Sequence, residues 1–228
     1  MTNINLLGVY GAGGFGREVI PVLSQYAALN FPADSWRAVF IDDAPGGQAK
    51  GRHTVMTLAE FAACDAQSRT AVLAVGSGEL RQKLADKCTA AGVAIGSLVA
   101  PNAMILDNVT LGTGAVLCPF SMVTSDTLIG DLFQANIYAY VAHDCVVGDR
   151  VTLAPGAKVN GNVEIGDNVY IGTGAVIRPG QPGNRLTIGS GAVIGMGAVV
   201  TGNVDAGTVV VGNPAKPLDR QNSGPTAP

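Results

Sequence analysis

An apolar residue recurs at every sixth position through much of the second half of this 228-residue chain. The register starts at Val99 and runs unbroken to Ile177, and every member except Ala135 is a branched aliphatic residue. A helix cannot hold this register, because 3.6 residues per turn would rotate it off any one face. Short parallel strands around a triangular prism can hold it, with three six-residue units per coil. The register therefore predicts a parallel β-helix.

A second column of mostly small residues lies four positions after the first. Its members are Ala103, Val109, Ala115, Ser121, Thr127, Phe133, Ala139, Cys145, Val151, Ala157, Val163, Val169 and Ala175. Phe133 departs from the pattern by its size. The first register breaks at RPGQPGNRLT, residues 178–187, and resumes at Ile188, Ile194, Val200 and Ala206. We expect this segment to bulge outward as a loop, since solenoids tolerate insertions between coils.

Strands and helices alternate in the first half of the chain. INLLGVYGAG, WRAVFIDD and TAVLAVGSG have strand patterns, whereas GREVIPVLSQYAAL, TLAEFAAC and ELRQKLADKCTAAG have helical ones. This alternation predicts a small α/β, Rossmann-like domain with a parallel sheet. The predicted organisation is a Rossmann-like domain at 1–92, a β-helix at 93–218 and a polar, disordered tail at 219–228.

Composition and charge exclude several classes of protein. The net charge of −3 argues against broad neutralisation of nucleic-acid phosphates. We find no signal peptide and no apolar run near the roughly 18 residues that would span a bilayer. The cysteines are widely spaced and form no CxxC pair, which is typical of buried thiols in a reducing compartment. The expectation is a cytoplasmic protein that binds neither nucleic acid nor membrane.

The segment AYVAHDCVVGD, residues 139–149, contains one of the two histidines. His143 lies two positions past the inward Val141, where the prism turns a corner and side chains point outward. It is either a solvated corner residue or a general base. Asp144 favours the second interpretation, because a carboxylate can fix the tautomer of a histidine base.

Gly161 lies eighteen residues beyond His143, which is one full coil. It should therefore stack at the same corner, since neighbouring strands lie about 4.8 Å apart. Its bare N–H group is suited to stabilising an oxyanion. A simple turn residue is the alternative.

The register over about 99–212 resembles that of the hexapeptide-repeat acyltransferases, whose parallel β-helix is left-handed. The segment NIYAYVAHDCVVGDRVTLAPGAKVNGNVEIG resembles one branch, the acetyl-CoA-dependent N-acetyltransferases of nucleotide-linked 4-amino sugars in bacillosamine and perosamine pathways. Sialic acid O-acetyltransferases are relatives of this branch. The resemblance implies that His143 is the general base, that Asp144 orients it and that the acetyl-CoA thioester lies against Gly161. Thr152 occupies the place of a second, donor-contacting histidine of some relatives.

The resemblance also implies how the donor and the subunits are arranged. Pantetheine is expected to pass Thr173 and Gly195, with Lys216 of GNPAK near the CoA phosphates. The expected assembly is a homotrimer with active sites between subunits. Asn136, on a different corner from His143, would reach the neighbour's base or sugar, although a turn-forming asparagine is an equal alternative.

GAGGFG, residues 11–16, satisfies GxGxxG between a strand and a helix, and an acid closes the second strand. Alone this motif suggests NAD. The resemblance implies instead that the front domain holds the nucleotide of the acceptor. The assigned residues are Gly13, Gly14 and Phe15 for the diphosphate or base, and Asp42 and Asp43 for the nucleoside.

A second glycine-rich turn, with Ser77 and Gly78, precedes the third helical segment and is predicted to face the same ligand. Arg81 either assists there or is a solvated helix charge. A metal site is not predicted, because catalytic zinc needs about three protein ligands and the two histidines, His53 and His143, lie in different halves. Cys145 belongs to the inward column, which predicts packing and direct transfer without an acyl-enzyme.

The function predicted is N-acetylation, with acetyl-CoA, of the 4-amino group of a GDP- or UDP-linked 4-amino-4,6-dideoxy sugar. Two alternatives remain open. One is O-acetylation of a sugar such as sialic acid, and the other is a non-catalytic nucleotide-binding module. Binding of CoA and the choice of acceptor distinguish these three functions.

Overall fold

The computed structural model describes residues 3–43 and 51–218 of the chain. Over these residues a five-stranded parallel sheet is followed by a three-sided coil of short strands. The tail predicted to be disordered, 219–228, lies outside the described residues.

The front domain is a parallel sheet in the order β3-β2-β1-β4-β5. Its strands are β1 (Asn5–Tyr10), β2 (Trp36–Ile41), β3 (Val55–Met56), β4 (Ser68–Leu73) and β5 (Ala94–Ile95). Its helices are α1 (Gly14–Asn30), α2 (Leu58–Ala63) and α3 (Gly78–Ala90). The strand order reverses between β1 and β4, whose carboxyl ends carry the two glycine-rich turns. In open α/β sheets this is where ligands bind.

The second domain is a left-handed parallel β-helix, as predicted. Three sheets form its sides, in the orders β22-β19-β16-β13-β10-β7, β20-β17-β14-β11-β8 and β24-β23-β21-β18-β15-β12-β9-β6. The strands are β6 (Leu98–Val99), β7 (Met104–Ile105), β8 (Thr110–Leu111), β9 (Val116–Leu117), β10 (Met122–Val123), β11 (Leu128–Ile129), β12 (Gln134–Ala135), β13 (Tyr140–Val141), β14 (Val146–Val147), β15 (Thr152–Leu153), β16 (Lys158–Val159), β17 (Val163–Ile165), β18 (Tyr170–Ile171), β19 (Val176–Ile177), β20 (Leu186–Ile188), β21 (Val193–Ile194), β22 (Val199–Val200), β23 (Val209–Val211) and β24 (Lys216–Pro217).

The six-residue register forms the core of the coil. Leu117, Val141 and Leu153 are each 0% exposed, and the bulky Phe133 is buried as completely. Ile105, in the first coil, is 38% exposed, because no coil lies below it to cover it. The predicted inward columns are therefore confirmed, with less burial at the end of the prism.

Two departures from the regular coil follow residue 177. Glu164 pairs with Thr187, and at this level the contacts join residues 23 positions apart rather than 18. The additional residues project outward from the prism and form the predicted loop. The last coil is shorter, with contacts at 16 positions, so Val204 lies inward. The prediction that Ala206 is inward is wrong, since this shortening shifts the register and leaves Ala206 exposed.

The front domain packs against the outer face of the β6-β9-β12-β15 side of the coil. One apolar cluster joins Leu7 and Val19 to Leu98 and Val116, and a second joins Leu6 to Leu132. The two domains thus share buried surface. In the part of the chain that the structure describes, no helix has the length and apolarity needed to cross a membrane.

Candidate active site

His143 and Asp144 lie at the corner between β13 and β14, which we call the His143 corner. Nδ1 of His143 is 2.7 Å from Oδ2 of Asp144, and the two side chains are 59% and 50% exposed. A carboxylate only accepts hydrogen bonds, so the neutral imidazole donates from Nδ1 and keeps the lone pair on Nε2. Asp144 has φ of 59°, a conformation that Asp adopts more readily than most residues. The pair therefore presents Nε2 as a base.

Gly161 lies directly against the His143 ring. A Cβ at this position would lie 2.6 Å from Nε2 and 2.5 Å from Cε1 of His143. In addition, the amide of Asn162 donates to the carbonyl of His143 over 3.0 Å. The predicted stacking of Gly161 one coil beyond His143 is confirmed, and only a residue without a side chain leaves the ring in this position.

The insertion loop adds a polar cleft of about 470 Å³ beside this pair. Asp144, Asn162 and Glu164 form one wall, and residues 182–185 with Thr187 form the other. Nε of Arg185 donates to the carbonyl of Asp144 over 3.3 Å. No residue of this loop was predicted from the sequence to belong to the active site.

Cys145 is 1% exposed, and its thiol lies 3.3 Å from the carbonyl of Asn160. Burial raises the pKa of this thiol. A protonated thiol inside the prism cannot reach a substrate at the corner. The prediction that Cys145 packs in the core is confirmed.

Thr173 and Gly195, predicted to contact the donor, and Asn136, predicted to reach the neighbour's base or sugar, lie at another corner of the same chain. Asn136, Thr173 and Gly195 follow strands β12, β18 and β21 of the eight-stranded side, and we call this the Asn136 corner. Oδ1 of Asn136 is buried and, among the described residues, has no hydrogen-bond partner. Lys216 is exposed on β24, which pairs with β23. One chain therefore brings His143, Asp144 and Gly161 together but keeps this second set apart from them.

Two exposed aromatic residues at the Asn136 corner were not singled out from the sequence. Phe120 and Tyr138 stack with ring centroids 5.2 Å apart and planes within 7°, and they are 56% and 61% exposed. Both have φ near 60°, a strained conformation for a bulky side chain. The equivalent positions in later coils are Gly156 and Gly174. The sequence feature that could have revealed the pair is therefore an aromatic residue at a turn position that favours glycine.

The first glycine-rich turn leaves open space at the amino terminus of α1. Gly13 is the N-cap and has no side chain to cap the helix, and a Cβ on Gly13 or Gly14 would meet nothing within 4 Å. Phe15 packs partly buried on the interdomain cluster. Free amide groups in open space at a helix amino terminus can bind a phosphate.

Asp42 and Asp43 close β2 with their carboxylates turned toward the domain's own groups. Oδ2 of Asp42 accepts from the amide of Ala12 over 3.1 Å. Asp43 accepts from the hydroxyl of Tyr10 at 2.5 Å and from the amide of Leu58 at 3.0 Å. These hydrogen bonds, the one from Tyr10 foremost, lower the pKa of Asp43, and burial with this carboxylate raises the pKa of Tyr10. Contact of either acid with a nucleoside stays a prediction.

The second turn is fitted closely to the coil. Ser77 caps α3 by accepting from the amide of Leu80 over 3.3 Å. A Cβ on Gly78 would lie 2.6 Å from the carbonyl of Arg150, so this glycine permits close packing of the domains. A cleft of about 250 Å³ opens beside the turn, and Tyr170 forms part of its wall.

The structure excludes one of the two roles considered for Arg81. It is not a solvated helix charge, because it is 0% exposed. Burial lowers the pKa of its guanidinium to about 10. Thr152 is buried beside it and donates to the carbonyl of Gly76 over 2.9 Å. Both side chains belong to the interface between the domains.

His53 is half-buried against the ring edge of Phe40, with Nδ1 3.4 Å from the carbonyl of Ala38. Among residues 3–43 and 51–218, no group of three His, Cys, Asp or Glu side chains is arranged to hold a metal ion.

The prism and its histidine corner define a β-helical acyltransferase. The profile of the PglD N-terminal domain matches residues 6–88, and that of the bacterial transferase hexapeptide repeat matches 153–179. WeeI from Acinetobacter baumannii AYE is 46% identical, with a TM-score of 0.88 over 93% of this chain and 99% of its own. The acetyltransferase domain of PglB from Neisseria gonorrhoeae FA1090, solved with acetyl coenzyme A, is 30% identical, with a TM-score of 0.82 over 94% and 100%. The chain belongs to the family of hexapeptide-repeat acetyltransferases with a PglD-type N-terminal domain.

Two further relatives carry a named substrate. PerB from Caulobacter crescentus, solved with CoA and GDP-perosamine, is 27% identical, with a TM-score of 0.82 over 95% of this chain and 98% of its own. GDP-perosamine N-acetyltransferase of Escherichia coli O157:H7 is 43% identical over 111 residues. That match spans 49% of this chain and half the length of this curated relative.

Proposed function

We propose that this protein transfers the acetyl group of acetyl-CoA to the 4-amino group of a nucleotide-linked 4-amino-4,6-dideoxy sugar. The observation that carries the proposal is the His143–Asp144 pair against the bare backbone of Gly161. The likeness to PerB and to GDP-perosamine N-acetyltransferase supports this acceptor class and makes GDP the first nucleotide to test.

The transfer is a direct displacement at the thioester carbonyl. The sugar amine attacks the carbonyl carbon while Nε2 of His143 takes the proton that the nitrogen loses, and Asp144 holds the ring. A general base of this kind contributes about 10²–10⁴ in rate. The C–N bond forms, the C–S bond breaks, and the proton passes from His143 to the CoA thiolate.

The amide of Gly161 is assigned to the oxyanion of the tetrahedral intermediate. In the described part of the chain this N–H group donates to no other backbone group. It lies beside the base, where the carbonyl oxygen gains charge. A donor already in place at that point stabilises the transition state without having to reorganise.

The assembly proposed is a homotrimer in the cytoplasm, with the His143 corner of one subunit facing the Asn136 corner of the next. This arrangement would join the two sets of residues that one chain keeps apart. The exposed Phe120–Tyr138 stack and the unpartnered oxygen of Asn136 support a covered surface at that corner. Thr173 and Gly195 would then line the path of pantetheine, with Lys216 near the phosphates of CoA.

The acceptor site proposed lies in the front domain. Gly13, Gly14 and Phe15 would approach the diphosphate or base, and Ser77 and Gly78 would bound the same space. Asp42 and Asp43, at the carboxyl end of β2, would contact the nucleoside.

The experiment that tests this function is release of CoA thiol from acetyl-CoA against a panel of acceptors. The panel holds GDP- and UDP-linked 4-amino-4,6-dideoxy sugars, their 4-hydroxy counterparts and free sialic acid. Rapid release with one amino sugar alone is the expected result. Release with hydroxyl acceptors only would move the assignment to O-acetylation. A folded protein that is silent on the whole panel and binds no CoA would favour the alternative of a non-catalytic nucleotide-binding module.

The same assay with His143→Asn tests the mechanism. We expect turnover to fall at least about 10²-fold while acetyl-CoA still binds, because the variant lacks only the base. Full activity in this variant would remove His143 from the transfer step.

A further inference from the structure

The guanidinium of Arg81 joins the two domains without a carboxylate partner. It is fully buried on α3, and among the described residues no acid lies within ion-pair distance of it. Its Nε, Nη1 and Nη2 groups all donate to neutral oxygens. The acceptors are the carbonyls of Val75, Gly76, Leu132, Arg150 and Val151, at 2.8–3.3 Å, and the side-chain oxygens of Gln134 and Thr152, at 3.1 and 3.0 Å.

Two buried side chains of the coil complete this network. Nε2 of Gln134 donates to the carbonyl of Leu73 over 2.7 Å, and Oγ1 of Thr152 donates to the carbonyl of Gly76 over 2.9 Å. Both residues lie on outer positions of the coil side that the front domain covers. We call Arg81, Gln134 and Thr152 the interdomain clamp.

The clamp holds the part of the front domain that carries the proposed acceptor site. Leu73 ends β4, and Gly76 immediately precedes the cap of α3. The first glycine-rich turn rests on the same segment, because a Cβ on Gly11 would lie 2.9 Å from the carbonyl of Ala74. Fixing the second turn on the coil therefore fixes both turns.

A guanidinium is suited to this task in a way that an apolar contact is not. Its planar fork of donors sets both the distance and the angle between the groups it joins. Burying it without an acid is costly, and well-packed apolar residues often replace buried charges without loss of stability. Adhesion between the domains alone would therefore not require Arg81, whereas a fixed orientation would.

We propose that Arg81 is a positioning residue for the transfer step. Without touching either substrate, it fixes the nucleotide-binding turns on the coil, so that a tethered sugar amine meets the base and thioester in reactive geometry. This inference rests on the proposed function. A displacement of about 1 Å between reacting groups can cost about 10² in rate.

The test compares Thr152→Val, which removes one hydroxyl of the clamp at nearly constant shape, with Thr152→Ser, which keeps it. Arg81→Lys is the second probe, because it keeps the charge and loses the fork. For each protein we would measure kcat and KM with a GDP-linked 4-amino sugar, KM for acetyl-CoA, the Kd of GDP and the thermal midpoint. A nucleotide-free 4-amino sugar serves as an untethered acceptor that reports on the coil alone.

We expect kcat with the GDP-linked acceptor to fall at least about tenfold in Thr152→Val and further in Arg81→Lys. The Kd of GDP, KM for acetyl-CoA and the rate with the untethered acceptor should stay within about twofold of wild type, as should all values for Thr152→Ser. Folded variants with wild-type kcat, or with equal losses on both acceptors, would overturn the proposal. A wild-type protein inactive on every acceptor would overturn the proposed function itself and this inference with it.

Discussion

The ring of His143 and the backbone of Gly161 are in contact across two successive coils, with no room for a methyl group between them. Gly161→Ala should therefore push the imidazole off its position and lower kcat at least about 10²-fold, since reacting groups tolerate little displacement. Steady-state kinetics measure this effect. Gly202→Ala is the matched control, because a Cβ there meets nothing within 4 Å, and its kcat should not change.

Asp144→Asn should lower kcat at least about tenfold, because the amide no longer stabilises the imidazolium and no longer fixes the tautomer. Asp126→Asn is a matched control at the same corner one coil earlier, also at positive φ, and its carboxylate accepts from Asn108 instead of a histidine. Comparable losses in both variants would show that the corner turn, rather than the histidine partner, requires the acid.

Cys145→Ala should keep kcat within about twofold of wild type, because the thiol is buried and protonated and takes no part in transfer. Thiol-directed alkylation of the folded wild type should likewise leave its activity intact. An acetylated Cys145 trapped by mass spectrometry during turnover would contradict direct transfer.

The pKa of Asp43 is lowered by the Tyr10 hydroxyl, the Leu58 amide and Lys87. A carboxyl with a folded pKa below its unfolded value contributes stability that is present above the unfolded pKa and lost as the pH falls through the folded one. Asp43→Asn should therefore flatten the fall in unfolding free energy as the pH drops below about 4. Urea titrations at several pH values measure this, and an unchanged acid limb would contradict the assignment.

The coil core makes a clear prediction about stability. Leu153 is 0% exposed in the inward column, and Leu153→Ala should lower the free energy of unfolding by about 2–5 kcal/mol. Leu128, on an outer face, is 53% exposed, and Leu128→Ala should stay within about 0.5 kcal/mol of wild type. Denaturant unfolding of the two variants measures the difference.

The coil could be predicted from the sequence because its signal repeats. Any single apolar residue such as Val141 or Leu153 is uninformative, but the fixed six-residue spacing excludes a helix. The stacking of Gly161 on His143 followed from the same period. Ala206 was placed wrongly because the period was extended through a coil that is two residues shorter, and no local feature of its sequence marks that shortening.

The clamp was missed for a different reason. Residues of α3 that face the interior are Arg81, Leu84, Ala85 and Cys88, which is regular helical spacing, so the signal that Arg81 lies on the buried face was present. It was overridden by the general expectation that a lone charge is solvated. Gln134 gave no such signal, because outer positions of a strand are ordinarily polar. The proposal that the His143 corner of one subunit faces the Asn136 corner of the next stays a prediction, because the repeat pattern of one chain does not encode the assembly.

The shared apolar clusters mean that the domain boundary, which lies after β5 (Ala94–Ile95) and not at the predicted residue 92, separates two topologies but not two folding units. Leu7 belongs to the same apolar cluster as Val116, and Leu6 to the same cluster as Leu132, so neither domain can open without exposing surface of the other. We expect the chain to melt in one cooperative transition. The front domain, although it resembles a portable nucleotide-binding module, should then be unable to exchange between β-helices unless the face beneath it is exchanged as well.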